Sequence, residues 1–256
     1  MTNITNVDIF SLFPRGKGLF LKNSIANGMQ QQLIFLLVIL SCGIASFFNS
    51  CKKEQPIAST EPKDAEGYLY PTARIGNRTW FTENLKTRKY RNGNEITFIS
   101  AAADWAANTT GALRESRTAS SVGYLYNYAA LSDSRGLCPN GWRIPSQADF
   151  EDLKTAAGGG AIAGFNLKTN TSDWSYPNEL NININNPDSL GFTALPNGYV
   201  QFDGTILGNN TVAAFWTTTE SSSSRAKSYE LYANDKGMSS LDSDKRLGLS
   251  CRCVKD

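Results

Sequence analysis

The sequence predicts a domain of the α+β class, in which short helices and long loops accompany an antiparallel sheet. Two turn signals, Gly76-Asn77 and Asn92-Gly93, separate β-prone stretches near the start of the domain. One well-marked helix is predicted after Ser146, and β-prone stretches return at 215–219, 229–232 and 247–254. Strands near both ends, with helices and loops between them, are typical of this class.

Composition excludes several classes of function. A net charge of +2 over 256 residues predicts no basic surface for nucleic acid. The chain has no histidine, which removes the commonest general base and the commonest zinc ligand. Hydrolases that depend on histidine are therefore excluded, and we expect a protein that is not an enzyme and needs no metal or other cofactor.

Residues 1–50 are interpreted as a signal peptide with an extended n-region. Three basic residues precede an uninterrupted apolar run at 33–40, which continues with small interruptions to Phe48. The run is short for a membrane span of about 20 residues. Met29 is an alternative start, although it would leave no lysine or arginine ahead of the apolar run.

The end of this segment, Asn49-Ser50-Cys51-Lys52-Lys53, resembles a bacterial lipoprotein cleavage site in the relaxed form found in Bacteroidetes. Cys51 would then be the first mature residue and carry the lipid. Two alternatives stay open, namely lipidation of Cys42 and an uncleaved anchor. Residues 51–66 are predicted to form a solvated tether ahead of a folded domain at 67–256. We therefore expect an exported protein, lipid-anchored in the outer membrane and either surface-exposed or periplasmic.

The best-defined helix is predicted to begin after Ser146. Ser146 and Asp149 form a capping-box pattern, and Phe150 and Leu153 share a face that should pack on the core. The glycines at 158–160 end the helix.

Two other segments carry weaker patterns. Ala101–Ala107 is predicted to form a short helix capped by Ser100. Tyr124, Tyr126 and Tyr128 would share one face if 123–131 is extended. That tyrosine face is either a binding surface or, as we favour, part of the core.

Residues 161–212 are the least regular part of the domain, and their interleaved aromatics argue against disorder. We expect ligand binding through the loops at 161–228, where aromatic rings would supply stacking planes and polar side chains would supply hydrogen bonds. The alternative is that the aromatics fill the core. The candidate contact residues are Trp174, Tyr176, Asn178, Tyr199 and Arg225.

Several ordered blocks carry a family resemblance. They are Ile75–Trp80, Glu83–Leu85, Gly123–Asn127, Cys138–Ser146, Gly191–Tyr199, Phe215–Glu220 and Arg252–Asp256. On these blocks the chain resembles the Fibrobacter succinogenes major paralogous domain family, over about residues 67–256. The resemblance implies a C-type-lectin-like fold with a twisted antiparallel sheet, related to formylglycine-generating enzymes. It implies no settled activity.

Cys251 and Cys253, near the end of the chain, compete for one disulfide partner. Cys251 and Cys253 lie two apart on a predicted strand and point to one face, so either could reach Cys138. The family pattern carries cysteine at the positions of Cys138 and Cys253, so the resemblance implies that pair. Cys251 is then a buried thiol, and a Cys138–Cys251 bridge is the alternative.

These observations predict a cell-envelope lipoprotein that displays a non-catalytic binding module for glycan or protein ligands. A structural or assembly component of the envelope is the alternative. A catalyst like the formylglycine-generating enzymes, which use a reactive cysteine pair, is a third hypothesis. Calcium would need converging oxygens such as those of Asp235, Asp242 and Asp244, which we interpret as solvated turns.

Overall fold

The computed structural model describes residues 61–118, 122–175 and 187–256. Short strands and a few short helices make up these residues, which confirms the predicted α+β class. The predicted signal peptide and residues 51–60 of the predicted tether lie outside the described ranges. No helix in the described part of the chain is both long and apolar enough to cross a membrane.

The packed part of the chain begins before Gly67. Pro62 O accepts a hydrogen bond from Tyr70 N at 2.9 Å, and the Tyr70 hydroxyl donates to Asp64 Oδ2 at 2.7 Å. Asp64 and Tyr70 are both buried. Residues 61–66, at the end of the predicted tether, therefore pack on the domain.

The first sheet brings the two ends of the domain together. Its strands in spatial order are β1 (Thr72–Ile75), β2 (Arg78–Phe81), β12 (Val254–Lys255) and β6 (Trp142–Arg143), all antiparallel. The β1–β2 hairpin turns at Gly76, whose φ of 58° is the left-handed conformation that glycine adopts readily. The predicted Gly76-Asn77 turn is confirmed.

The largest sheet lies in the C-terminal half. Its spatial order is β11 (Ser239–Asp244), β10 (Arg225–Tyr232), β9 (Val212–Glu220), β7 (Asn197–Val200) and β8 (Ile206–Asn209). Only the β7–β9 pair is parallel among the neighbours of this sheet. β9 and β10 contain two of the predicted strands, whereas β7, β8 and β11 were not predicted because their sequences are polar and rich in glycine.

A small third sheet and four short helices complete the described fold. The sheet has the order β3 (Thr97–Phe98), β4 (Ala112–Arg117) and β5 (Val122–Tyr126). The helices are α1 (Ala102–Ala107), α2 (Tyr128–Leu131), α3 (Gln147–Ala156) and α4 (Ala163–Leu167).

Helix α3 begins as predicted. Asp149 N donates to Ser146 Oγ at 3.3 Å and Ser146 N donates to Asp149 Oδ2 at 2.8 Å, so the capping box is confirmed. Phe150 and Leu153 are buried on the inner face of the helix, as their spacing predicts.

Two local predictions were wrong. Helix α1 begins after Ala101 and receives no side-chain cap, so Ser100 does not cap it. The tyrosine face is also not one extended stretch, because Asn127 Oδ1 accepts from the backbone amide three residues on and turns the chain into α2. Tyr126 and Tyr128 are nevertheless both buried, in agreement with the core interpretation.

The C-terminal strand is shorter than predicted. Of residues 247–254, Val254 alone belongs to a strand, whereas Gly248, Leu249 and Ser250 form isolated bridges to three other segments. The segment divides its backbone hydrogen bonds among several sheets and so joins them.

The Cys138–Cys253 disulfide lies in a core cluster beneath the first sheet, with the two Cα atoms 5.9 Å apart. The implied pairing is therefore confirmed, and the Cys138–Cys251 alternative is wrong. Cys251 is a free thiol, fully buried in the same cluster.

Arg252 lies between these cysteines and points the other way, as alternation along an extended chain requires. Its guanidinium carbon lies 4.1 Å from the ring centroid of Phe192 and 5.3 Å from that of Phe215. These rings belong to a second core cluster, which packs α3 and α4 against β9 and β10. In the segment 251–253, the two cysteine side chains therefore pack in the first core cluster, whereas the Arg252 side chain packs against the second.

Candidate functional site

A pocket of about 270 Å³ lies where the segment after β2, strand β5 and the chain leading into β7 come together. Its walls come from residues 82–86, Gly123, Thr169 and Thr171, and residues 193–197. The walls carry two amides, several hydroxyls, one carboxylate and one ammonium group, with Leu195 as an apolar surface. A small pocket with a few convergent polar groups is the usual form of a binding site.

Asn84 is placed in the pocket by the backbone on either side of it. Phe81 N donates to Cys253 O at 3.0 Å and Leu85 N donates to Cys251 O at 2.8 Å, so this segment is tied to the end of the chain. Asn84 is 6% exposed, and its Nδ2 donates to Asn197 Oδ1 at 3.1 Å. Its position follows from the segment that carries the disulfide.

The buried guanidinium of Arg252 holds the other end of Asn84. Arg252 Nε donates to Asn84 Oδ1 at 2.8 Å, and Nη2 donates to Thr193 O at 2.8 Å. Its hydrogen-bond acceptors in the described chain are all neutral, so the charge is held by carbonyl oxygens and aromatic faces. Burial lowers the pKa of Arg252 to about 9, and the carboxylates of Asp188 and Glu83 oppose that shift.

Thr193 contributes strained backbone to the same wall. Its φ is 56°, a left-handed conformation that β-branched residues rarely adopt. The bond from Thr193 N to Asp188 Oδ1 at 2.9 Å and the bond from Arg252 to Thr193 O hold it there. Strain of this kind persists where the surroundings impose it, and it is concentrated at functional sites.

One side-chain amide of the pocket has a hydrogen-bond donor that no described residue uses. Asn197 is 2% exposed, its Oδ1 is used by Asn84, and its Nδ2 has no hydrogen-bond partner among the described residues. Gly123 lies beside this nitrogen, and a Cβ added at Gly123 would stand 3.4 Å from Asn197 Nδ2. An unsatisfied buried N–H costs about 1–3 kcal/mol, so this donor points to a ligand acceptor.

The charged groups of the pocket neutralise each other. Lys86 Nζ lies 2.6 Å from Glu83 Oε2, and the Tyr68 hydroxyl donates to the same oxygen at 2.6 Å. Burial raises the pKa of Glu83, but the hydrogen bonds from Lys86 and Tyr68 outweigh it and hold the pKa below its ordinary value. Glu83 is therefore ionised at neutral pH and paired with Lys86.

Three of the residues predicted as ligand contacts do not line this pocket. Trp174 is 3% exposed and its indole nitrogen donates to Thr169 Oγ1 at 3.1 Å, so it supports the pocket wall from behind. Tyr199 is half-buried against the first core cluster, and Arg225 is exposed and donates to a backbone carbonyl of β11. None of these three lines the pocket. Tyr176 and Asn178 lie outside the described residues.

Residue-by-residue reasoning missed Glu83, Asn84, Gly123 and Asn197. Each of the four falls inside an ordered block quoted above for the family resemblance. Those blocks were interpreted as marks of a fold, although three of them also meet at one pocket. Their coincidence was the signal that could have located the site.

The oxygen-rich residues have partners of their own, and Asp242 and Asp244 lie on strand β11 and not in the predicted turn. Asp242 Oδ1 lies 2.9 Å from Lys227 Nζ, Asp244 Oδ2 lies 2.8 Å from Arg246 Nη2, and Asp235 accepts from a backbone amide two residues on. Across the described ranges, no group of three or more acidic or cysteine side chains is placed to hold a metal ion.

The two C-terminal cysteines do not form a thiol pair. Cys253 is bonded to Cys138, and Cys251 is enclosed in the core, where burial raises the pKa of its thiol well above the ordinary value. A thiol that is both buried and protonated is a poor nucleophile.

Comparison with known proteins gives one match. The sequence model of the Fibrobacter succinogenes major domain matches residues 73–255, a range that includes every residue lining the pocket. No curated protein and no solved structure matches the chain. Because the match covers well over half of the 256 residues, the chain belongs to the Fibrobacter succinogenes major domain family.

Proposed function

We propose that this protein is a lipid-anchored, exported binding module whose pocket between residues 82–86, Gly123 and 193–197 holds part of a glycan. The observation that carries the proposal is the buried amide nitrogen of Asn197, a residue that lines this pocket, which lacks an acceptor within the described chain. The fold is proposed to be C-type-lectin-like. The meeting of the two ends of the domain in one sheet, and a pocket lined largely by loop residues, support that part of the proposal.

A glycan is favoured by the size and chemistry of the walls. About 270 Å³ is slightly less than the ~300–1,000 Å³ typical of drug-sized ligands, and it suits a single sugar ring. The amide nitrogen of Asn197 offers a donor, and the hydroxyl oxygens of Thr171 and Thr193, which donate within the domain, can still accept, so the hydroxyls of a sugar can use both kinds of group. This site replaces the aromatic platform expected from the sequence, because Trp174 is buried.

A glycan array of the purified full-length protein tests the proposal. We expect binding that is lost in Thr171→Trp, because the exposed Thr171 lines the pocket and an indole there would cover it. Ser240→Trp on the exposed edge of β11 is the matched control and should bind like the wild type. Wild-type protein that binds no glycan, or binds glycans regardless of Thr171→Trp, would contradict the assignment.

The anchor is proposed at Cys51. The apolar run at 33–40 and the Ser50-Cys51-Lys52 sequence support it, and a short, mostly polar stretch of sequence separates Cys51 from Pro62, whose carbonyl oxygen accepts from Tyr70 N. Metabolic labelling with an alkyne fatty acid should mark the wild type and Cys42→Ser but not Cys51→Ser. Labelling that survives in Cys51→Ser and disappears in Cys42→Ser would move the anchor to Cys42.

The module is proposed to be non-catalytic. Its chain lacks histidine, and Cys251 is buried with its neighbour Cys253 committed to a disulfide. Bound glycans recovered after long incubation should have unchanged masses. Turnover that disappears in Cys251→Ser would instead revive the hypothesis of a cysteine-based catalyst.

A further inference from the structure

Hydrogen bonding to Arg252 determines which way the side-chain amides of Asn84 and Asn197 are turned. A guanidinium has only donors, so Asn84 must turn its Oδ1 toward Arg252 Nε, 2.8 Å away. Asn84 Nδ2 then faces Asn197, which must turn its own Oδ1 toward that nitrogen at 3.1 Å. Asn197 Nδ2 is consequently left without an acceptor among the described residues, beside Gly123, and both of these residues line the pocket.

This chain of hydrogen bonds determines what the ligand must offer. Each link donates in the same direction, from the buried cation of Arg252 through Asn84 to Asn197, and such chains polarise their members. The free end at Asn197 Nδ2 is therefore a strengthened donor. The ligand group that completes it must be a hydrogen-bond acceptor.

The acceptor that fits the surroundings is uncharged. Lys86 is the cation among the described lining residues, and Glu83 already neutralises it at 2.6 Å. A ligand carboxylate would face Glu83 with no unpaired lining cation to offset the cost of burying its charge. A carbonyl oxygen accepts the same hydrogen bond without that cost.

Apolar surface lies on the same walls. Leu195 lines the pocket together with Asn197, and three threonines, Thr169, Thr171 and Thr193, line it as well. We infer that the pocket binds the N-acetyl group of an amino sugar, with its carbonyl accepting from Asn197 Nδ2 and its methyl group packing on Leu195. The inference rests on the proposed glycan ligand and specifies its chemical class.

Ligand-detected NMR and calorimetry on the full-length protein test the inference with four methyl glycosides. The probes are methyl N-acetyl-β-glucosaminide, methyl glucosaminide, methyl glucoside and methyl glucuronide. We expect the N-acetyl glycoside to bind at least about tenfold more tightly than the other three, because a site built around a donor rejects ligands without the matching acceptor.

Four outcomes would overturn the inference. If the glucoside bound as tightly as the N-acetyl glycoside, the acetyl group would not be recognised, although the protein would still bind glycans. Preference for the glucuronide would make the site an anion site. Binding of N-acetylalanine amide as tight as that of the acetylated sugar would assign the pocket to acylated peptides. Failure of every glycoside, together with a blank glycan array, would remove the proposed function as well.

Two variants locate the contact. Gly123→Val should weaken binding of the N-acetyl glycoside at least tenfold, because a Cβ there already lies 3.4 Å from Asn197 Nδ2 and the added methyl groups occupy the acceptor's place. Gly123 has no left-handed φ, so valine introduces no backbone strain. Asn197→Asp keeps the shape but replaces the donor by an acceptor, and a similar loss is expected.

Ser240→Val, on exposed β11, is the matched control for both variants and should leave affinity unchanged. Thermal unfolding checks that each variant is folded. A folded Gly123→Val protein that binds the N-acetyl glycoside as tightly as the wild type would refute the contact, even if Asn197→Asp failed to fold.

Discussion

The two faces of the segment 251–253 have opposite chemistry. On one face Cys251 and Cys253 enter an apolar cluster, and Cys253 is joined to Cys138 across 115 residues. On the other face Arg252 enters a polar network that ends at an amide nitrogen with no partner among the described residues. The cysteine face is closed by a covalent bond, whereas the network on the arginine face ends at an unused donor.

The difference separates the part of the domain that mainly provides stability from the part where ligand binding is proposed. An apolar cluster with a covalent cross-link gains nothing from a ligand, because its contacts are already made. A buried polar network is stabilising only when every member is satisfied. The missing acceptor of Asn197 is therefore the reason that we propose the arginine face as the one that binds a ligand.

Breaking the cysteine face should have the largest effect on stability. The double variant Cys138→Ser/Cys253→Ser is expected to lower the free energy of unfolding by about 4 kcal/mol, because it releases a loop that the bridge closes across 115 residues. Urea denaturation under non-reducing conditions measures it.

Cys251→Ala is the control for this variant, since it changes a buried sulfur of the same cluster without opening a loop. We expect it to cost about 1 kcal/mol. A double variant that loses no more than Cys251→Ala would show that the disulfide is not what stabilises this face.

Breaking the arginine face should reduce both stability and binding. Arg252→Met is expected to cost about 3 kcal/mol, because it leaves Asn84 Oδ1 and three backbone carbonyls without a buried donor. It should also abolish binding at the pocket, since Asn84 and Asn197 lose their fixed orientation. Arg246→Met, which removes an exposed ion pair with Asp244, is the control and should change neither. If a folded Arg252→Met protein bound the ligand as tightly as the wild type, the hydrogen-bond chain from Arg252 through Asn84 to Asn197 would not be needed for binding.

A smaller loss of stability is expected from a variant that weakens the second core cluster and leaves the hydrogen bonds of Arg252 intact. Ser146→Ala removes the cap of α3, whose Phe150 packs on Trp80 and Tyr229, and should cost about 1 kcal/mol. Thermal unfolding measures the loss, with the exposed Ser240→Ala as control. Because this helix does not line the pocket, binding should be preserved. A loss of binding would mean that the helix and the pocket are coupled.

A further expected effect is a dependence of stability on acid. Burial raises the pKa of Asp149, but hydrogen bonds from Arg143 and Ser146 outweigh it and hold the pKa at about 2. An unfolded aspartate titrates near ~3.9, so the stabilisation is complete above that pH and is lost as the pH falls toward 2.

The measurement for Asp149 is the free energy of unfolding between pH 4 and pH 2. Asp149→Asn should flatten the decline in this window, whereas Asp152→Asn, exposed on the same helix, should retain the wild-type profile. An unchanged slope in Asp149→Asn would show that this carboxylate does not contribute to the acid dependence.

Local sequence patterns predicted the elements whose structure depends on near neighbours. The Gly76-Asn77 hairpin, the capping box of Ser146 and Asp149, and the buried face of α3 are all set within a few residues, and all are confirmed. The cap at Ser100 and the strand through Tyr128 failed, because Ala101 and Asn127 direct the chain differently in the folded domain.

The candidate site was predicted only as a region. Thr169, Thr171, Thr193 and Asn197 do lie within the loops at 161–228, but the aromatic contact Trp174 is buried behind them. The other wall, at residues 82–86 and Gly123, is distant in sequence, and no local pattern shows which amide lacks a partner. Long-range pairing is invisible to periodicity.

The sequence by itself determined the class of the domain, the position of its capped helix and the absence of histidine chemistry. Through the family blocks it also implied the Cys138–Cys253 pair. Only the tertiary structure decided that Arg252 faces away from the cysteines on either side of it and orients Asn84 and Asn197. The reason is physical: a turn or cap depends on adjacent residues, whereas a polar network depends on segments more than a hundred residues apart whose hydrogen bonds form only on folding.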